Sequence, residues 1–405
     1  MISVAEACEI IAANITRLPD EHVPLSAAVG RTLVQQVRAE RDQPPFDRVT
    51  MDGAALCWPP TTSTRPIEGV QFAGDPPLAL ADRDNAIEIM TGAALGDTAN
   101  TIVPVERYRV EASAGQRQLV LEPGYVPESG QFIHRRGSDH ETGAVLLEPG
   151  MIIGGAELAI IASAGLERVR VARAPRIAVI ATGNELVPAG RPIADHQIRL
   201  SNGPALVGAL ALAGYSAATL HHLTDEPAQL EVRLGELLTD NDVLILSGGV
   251  SKGQADHVPS VLTELGVEKH FHRVAQRPGK PMWFGTGRRS QLVFALPGNP
   301  VSTLACFRRY VVDALHVAGG RDVGRKPTAR LAADWQFKPK LTALVPVVVR
   351  PDDDGQLWAT PVTTNTSGDF SALGGSSGFV ELPAAKDDFA AGESYPLYWW
   401  HGSTG

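Results

Sequence analysis

Cysteine is scarce in this chain. Cys8, Cys57 and Cys306 are the only three in 405 residues, and they are scattered without metal-ligand spacing or a disulfide framework. That pattern excludes a disulfide-stapled domain and a zinc module, and predicts reduced, buried thiols in a cytoplasmic protein. Long apolar runs are missing too. No segment reaches the roughly 18 residues a spanning helix needs, and no basic stretch leads into an apolar core at the N-terminus. Neither a membrane segment nor a signal peptide is therefore expected. No Lys/Arg-rich run appears, and 36 basic against 45 acidic residues leave a net charge of −9, which argues against a nucleic-acid surface. Repeats and low-complexity tracts are absent as well. What remains, 44% hydrophobic and 20% charged residues, is the composition of a soluble globular enzyme. The length exceeds one ordinary core and predicts about two to four domains.

The texture changes along the chain. Ser3 and Glu6 form a capping box ahead of Val4, Cys8, Ile11 and Ile15, which share one helical face over residues 3–16. A second, mostly helical piece is expected to about Glu40. Short β-like runs broken by Pro and Gly then predict a β-rich insert over 43–138. Residues 139–174 return to mixed structure, with a helix near Ala156–Ala164, so 1–42 and 139–174 read as two halves of one support domain. From 175 to 325 strands and helices alternate. Ile177–Ala181, Val243–Leu246 and Leu292–Leu296 are buried strands, and Pro204, Pro227 and Pro300 stand near helix starts. Such alternation predicts parallel strands with helices on both faces. Residues 326–405 read as a small C-terminal β domain. The expected fold class is multidomain α/β: a three-layer α/β domain with a parallel-type sheet, a β-rich inserted domain, a mixed support domain and a C-terminal β domain.

Three strand ends in the alternating region run into glycine turns. They are Ala181-Thr182-Gly183-Asn184-Glu185, Ser247-Gly248-Gly249-Val250-Ser251 and Leu296-Pro297-Gly298-Asn299-Pro300. Paired glycines let backbone N–H groups converge on a bound anion, and the hydroxyls of Ser247 and Ser251 add donors. In parallel α/β sheets ligands sit at the carboxyl ends of strands, where all three turns fall. Carboxylates stand nearby at Glu185, Asp225 and Asp256. Beside a phosphate they need a cation between, and magnesium suits that role. The plainer alternative is that Asp225 caps a helix while Glu185 and Asp256 are solvated. Arg273, Arg277 and Lys280 make a second constellation. Arg273 and Arg277 are two repeats apart on a strand, so they share one face and could hold phosphate or another oxyanion; the plainer alternative is an ordinary exposed basic edge strand. His221 and His222 lack metal-type spacing and read as structural or exposed.

The insert carries PFDRVTMDGAA at Pro45–Ala55, MTGA at Met90–Ala93 and RRGSD at Arg135–Asp139. Each alone reads as turn chemistry. With ATGNEL at Ala181–Leu186, QIRLSN at Gln197–Asn202, SGGVSKGQAD at Ser247–Asp256, PGKP at Pro278–Pro281 and LPGNPVS at Leu296–Ser302, they form eight ordered motifs. In that order they resemble the molybdopterin molybdenumtransferase family, over essentially the whole chain.

The resemblance implies an enzyme that inserts molybdate into adenylylated molybdopterin, with magnesium-dependent hydrolysis and AMP release. It implies an elongated homodimer of four-domain chains, whose α/β domain binds molybdopterin and is shared with the related adenylyltransferase. The active cleft would lie between that domain and the partner's β-rich insert. Asp52, Thr91 and Asp139 would then belong to the cleft wall, and Glu185, Asp225 and Asp256 to the magnesium-assisted adenylate chemistry. Ser247, Gly248, Gly249, Ser251, Arg273, Arg277 and Lys280 would face anionic substrate, while Pro297 and Pro300 shape their loop. The adenylyltransferase of the same pathway and apo-molybdoenzymes are the implied protein partners, with neither nucleic acid nor membrane. The chain departs from the family pattern at Ala54 (usually Tyr), Asn100, Lys252 and Arg277 (usually Lys), which bears on the choice of molybdate or tungstate. Two other readings compete: the adenylyltransferase step itself, which needs only the α/β unit, and a non-catalytic peptide-binding scaffold.

Overall fold

The computed structural model describes residues 1–62, 64–113, 115–249, 257–363 and 366–401. Its centre is a six-stranded sheet in the order Thr219–Leu223, Ile177–Thr182, Val243–Ser247, Leu292–Leu296, Trp283–Thr286 and Glu268–His272. The first four strands are parallel, as the alternation predicts. The last two run antiparallel and make the sheet mixed. A short connection from Thr286 to Leu292 returns the chain as a hairpin, where a parallel crossover would need a helix's worth of residues.

The inner strands are buried on both faces, so they read as continuous apolar runs rather than alternating ones. On one face Val179, Ile245 and Phe294 pack under helix Asn202–Leu212 and the closing helical segment from Pro300 to Ala318. Helix Val4–Ala13 joins the same core through Val4, Ala7 and Ile11, and its Ser3–Glu6 capping box forms. On the other face Ile180 and Leu244 meet Leu230, Leu234, Leu237 and Leu238 of helix Pro227–Asp240, together with helix Val258–Glu264.

The segment expected to be helical up to Glu40 is not. It forms strand Asp20–Pro24, a single 3-10 turn at Leu25–Ala27 and strand Val37–Arg38. These pair with Arg168–Ala172 and Val145–Leu147. Partners more than a hundred residues away decide the strand state, which local periodicity cannot see. Helix Gly155–Ser163 completes this mixed region.

The insert holds a second six-stranded sheet, ordered Thr101–Pro104, Gly53–Leu56, Ala86–Ile89, Thr64–Gln71, Gln116–Leu121 and Tyr108–Ser113. Ala54 is fully buried there beside Ala86 and Leu119. In the C-terminal region Thr342–Pro351, Leu357–Pro361, Thr328–Leu331, Ser394–Trp399 and Gly378–Leu382 pair in sequence. Gly378–Leu382 then pairs back onto Thr342–Pro351, closing a ring. A two-residue strand from the α/β region, Gln276–Arg277, adds in parallel at Thr342–Ala343 and ties the two regions together.

Candidate active site

The register of the central sheet brings the three glycine turns to one level. Ala181 lies opposite Ser247, and Ser247 opposite Leu296. Gly248 takes φ +103°, and a Cβ there would lie 2.8 Å from the Thr182 carbonyl oxygen. Only glycine lets the two turns approach this closely. Asn202, the first residue of its helix, ties two of the turns together. Its Nδ2 donates to Ser247 Oγ at 2.9 Å and to the Gly298 carbonyl at 2.7 Å. His222 lies 3.0 Å, through Nε2, from the Gly183 carbonyl, a structural role. The turns frame a cavity of about 620 Å³ lined by Thr182, Glu185, Arg199, Asn202, Ser247, Gly248, Gly298 and Pro300. The Thr182 hydroxyl is buried at this wall and has no hydrogen-bond partner among the described residues.

Glu185 lines that cavity and is exposed to it. Asp225 ends the neighbouring strand's turn and does not cap the following helix, whose N-cap is Glu226. Instead its carboxylate accepts from the Asn184 N–H at 3.2 Å, while Asn184 Oδ1 accepts from the Asp225 N–H at 3.2 Å. This reciprocal pair holds the Asp225 carboxylate beside the first turn, of which Glu185 is part. No group of three or more His, Cys, Asp or Glu side chains able to hold a metal gathers among the described residues. Asp256, Ser251 and Lys252 lie outside the described residues.

A second cavity, of about 630 Å³, opens between the PGKP turn and the C-terminal ring. Arg277 and Lys280 line it, and so does Lys338. Among the described residues, none of these three cations has an ion-pair or hydrogen-bond partner, and no carboxylate lines the cavity. Three cations without an ion-pair partner among the described residues make a site for an anion. Pro297 lines this cavity and Pro300 the first, while Asn299 faces both. One loop therefore separates them.

The pairing of Arg273 with Arg277 does not hold. Strand Glu268–His272 ends before Arg273, which takes a left-handed φ of +82°, and Gln276–Arg277 is a separate strand. The intervening backbone turns on itself, with Val274 N–H donating to the Lys280 carbonyl at 3.0 Å. Arg273 does not line the anionic cavity.

The insert residues form their own constellation and line neither cavity of their own chain. Asp52 Oδ1 accepts from both the N–H and the hydroxyl of Thr91, each at 2.7 Å. These two bonds, the backbone one first, hold the Asp52 carboxyl below its ordinary value. Asp139 Oδ1 sits 2.9 Å from His134 Nε2, and Arg48 approaches the other ring nitrogen at 3.1 Å.

Family models match three stretches of the chain. They are the MoeA N-terminal region (domain I and II) at 2–165, a probable molybdopterin binding domain at 178–317, and the MoeA C-terminal region (domain IV) at 328–400. The molybdopterin molybdenumtransferase of Synechocystis sp. is 38% identical over 404 residues, covering 99% of this chain and 100% of that protein. The chain belongs to the molybdopterin molybdenumtransferase family. The enzyme of the same name from Synechococcus elongatus is 32% identical, over 97% of this chain and 98% of that one. The crystal structure of the molybdopterin biosynthesis MoeA protein from Pyrococcus horikosii superposes with a TM-score of 0.83 at 29% identity, with full coverage of both chains. The multidomain α/β architecture of the family is thus the architecture of this chain.

Within this family member, sequence reasoning overlooked three contributors. Asn202 closes the QIRLSN motif, and its position just before an apolar helical run was the available signal. Thr182 stands inside the ATGNEL turn, where its residue type gives no signal of its own. Lys338 gives no local signal, because only the tertiary fold carries the C-terminal ring to the PGKP turn.

Proposed function

We propose that this chain inserts molybdate into adenylylated molybdopterin, with magnesium-dependent hydrolysis and release of AMP, to give the molybdenum cofactor. The observation that carries this reading is the pair of adjoining cavities with unlike walls. One, beside the carboxylates and glycine turns, suits a phosphoanhydride with its cation. The other, walled by Arg277, Lys280 and Lys338 with no lining carboxylate among the described residues, suits a tetrahedral oxyanion dianion. A transfer between two bound substrates needs such neighbours, because holding both in place removes most of the entropic cost of their encounter.

The donor chemistry fits magnesium. Glu185 and Asp225 offer hard carboxylate oxygens, and Mg²⁺ needs few protein ligands when phosphate and water complete its shell. Asp256 is the third proposed ligand. When bound, the ion would supply charge neutralisation at the phosphoanhydride. Backbone N–H groups of Gly248 and Gly249 and the Ser247 hydroxyl would orient the pterin phosphate, with no protein nucleophile required. Asn202 keeps those donors in place.

Asp52, Thr91 and Asp139 are proposed to act across a homodimer, facing the α/β cavity of the partner subunit; that they line neither cavity of their own chain supports this. Substrate would arrive from the adenylyltransferase of the pathway and product pass to apo-molybdoenzymes, in the cytoplasm. The domain limits proposed are 1–42 with 139–174, 43–138, 175–325 and 326–405.

The test is AMP release from adenylylated molybdopterin and magnesium, with and without molybdate. Molybdate-stimulated release, with product that activates an apo-molybdoenzyme, is the expected result. A folded dimer that releases no AMP with molybdate or tungstate would overturn the proposal.

A further inference from the structure

Beneath the cationic PGKP turn, at the wall of the anionic cavity, lies a buried polar cluster to which no role has yet been given. Gln276 is 0% exposed. Its Oε1 accepts a hydrogen bond from the Tyr310 hydroxyl, and its Nε2 donates to Cys306 Sγ at 3.2 Å. Both partners belong to the closing helical segment that starts at Pro300. Cys306 ends its first α-helical part, and Tyr310 lies in the π-helical turn Phe307–Val311 that follows.

Gly279 rests directly on this cluster. With φ +92°, its missing Cβ would collide with both Cys306 Sγ and Gln276 Nε2. Packing alone would be served by apolar side chains, so burying a carboxamide, a phenol and a thiol calls for a reason. Burial pushes the Cys306 thiol up to about 12 and the Tyr310 hydroxyl well above its usual value. Both therefore stay neutral near pH 7, and the carboxamide is held in one orientation, oxygen to phenol and nitrogen to sulfur.

The geometry of a strand does the rest. Gln276 and Arg277 are successive residues of one extended segment, so the side chain that points inward fixes the outward direction of its neighbour. Arg277 is exposed and lines the anionic cavity. Three residues on, Lys280 leaves a turn whose floor is the same cluster. Arg277 and Lys280 are thus set from one buried anchor.

We propose that Gln276, clamped between Tyr310 and Cys306, is a positioning residue that holds Arg277 and Lys280 at the spacing that binds a tetrahedral oxyanion. This rests on the reading of that cavity as the molybdate subsite. Long cationic side chains that are already placed lose less freedom on binding, so the clamp acts on oxyanion affinity.

The experiment uses the full chain and molybdate alone, titrated calorimetrically, alongside steady-state AMP release. Arg277→Ala and Lys280→Ala serve as references. Tyr310→Phe and Gln276→Met should raise Kd and KM for molybdate about tenfold, while kcat and KM for adenylylated molybdopterin stay close to wild type. Cys306→Ser keeps a polar partner for Nε2 and should behave as wild type. If the Arg277 and Lys280 variants weaken molybdate binding while Tyr310→Phe and Gln276→Met do not, the positioning role is refuted. Should neither reference variant matter, the subsite reading itself fails. Should Gln276→Met not fold, Tyr310→Phe, which loses a single oxygen, carries the test. A uniform fall in kcat with lowered stability and unchanged molybdate affinity would also overturn the proposal, as a merely structural effect.

Discussion

Replacing Asn202 with Ala should disconnect two of the three glycine turns. The side chain donates two hydrogen bonds, to Ser247 Oγ at 2.9 Å and to the Gly298 carbonyl at 2.7 Å. Each is worth about 1 kcal/mol net, so their joint loss costs about 2 kcal/mol, or roughly 30-fold in the balance between tied and untied turns. Ser247 is only 3% exposed, so water restores its lost partner poorly. Because the turns carry the proposed phosphate donors, kcat/KM for AMP release should fall about 10- to 30-fold. Most of that fall should appear in KM for adenylylated molybdopterin, since untied turns bind worse before they react worse. Urea unfolding run beside the kinetics should show a modest loss of stability. Asn202→Asp keeps the size but removes both N–H donors and sets a negative charge against the Gly298 carbonyl, so it should be at least as impaired. An Asn202→Ala enzyme with wild-type KM would refute the reasoning, whatever its stability.

At the opposite end of strand Val243–Ser247, Asp242 receives both Arg173 Nη groups at 2.9 Å and the Arg176 N–H at 2.8 Å. Burial pushes its carboxyl up, but the Arg173 and Arg176 hydrogen bonds outweigh it and bring it down to about 2. A depressed carboxylate stabilises the fold above its ordinary range and loses that effect as pH falls from about 4 towards 2. Asp242→Asn should therefore cost about 2 kcal/mol near neutral pH, with the deficit shrinking below about pH 4, while AMP release is unaffected; a pH-independent deficit in unfolding midpoint would contradict this. Asp225→Asn should raise the magnesium concentration needed for half-maximal AMP release and leave the unfolding midpoint close to wild type; an unchanged magnesium dependence would remove Asp225 from the ligand set. Lys338→Ala should weaken molybdate binding several-fold with a smaller salt dependence, measured by titration at two ionic strengths; equal affinity would show that Lys338 only borders the cavity. Asp256→Ala should nearly abolish turnover with the circular-dichroism spectrum intact, and wild-type rates in that variant would refute its assignment.

Local chemistry made much of this molecule legible. The runs Ile177–Ala181, Val243–Leu246 and Leu292–Leu296 are buried on both faces, so their apolar continuity identified inner parallel strands without any partner in view. Glycine and proline punctuation placed the turns at the ends of those strands, and the Ser3–Glu6 capping box marked its helix start. These features are written within a few neighbouring residues, which is why sequence alone determined them and, through the eight motifs, the family. Pairing across long separations was not written locally. Strands Asp20–Pro24 and Val37–Arg38 exist because Arg168–Ala172 and Val145–Leu147 lie beside them, and the hairpin that makes the central sheet mixed could not be read from a strand-helix alternation. The positive φ of Arg273 broke a shared face that spacing alone had suggested. Only the tertiary structure decided that Asn202 ties two turns, that Lys338 joins Arg277 and Lys280, and that Gln276 lies under their turn. Each of those contacts depends on where separate segments are carried by packing, and the free energy that places them is spread over cores no single motif contains.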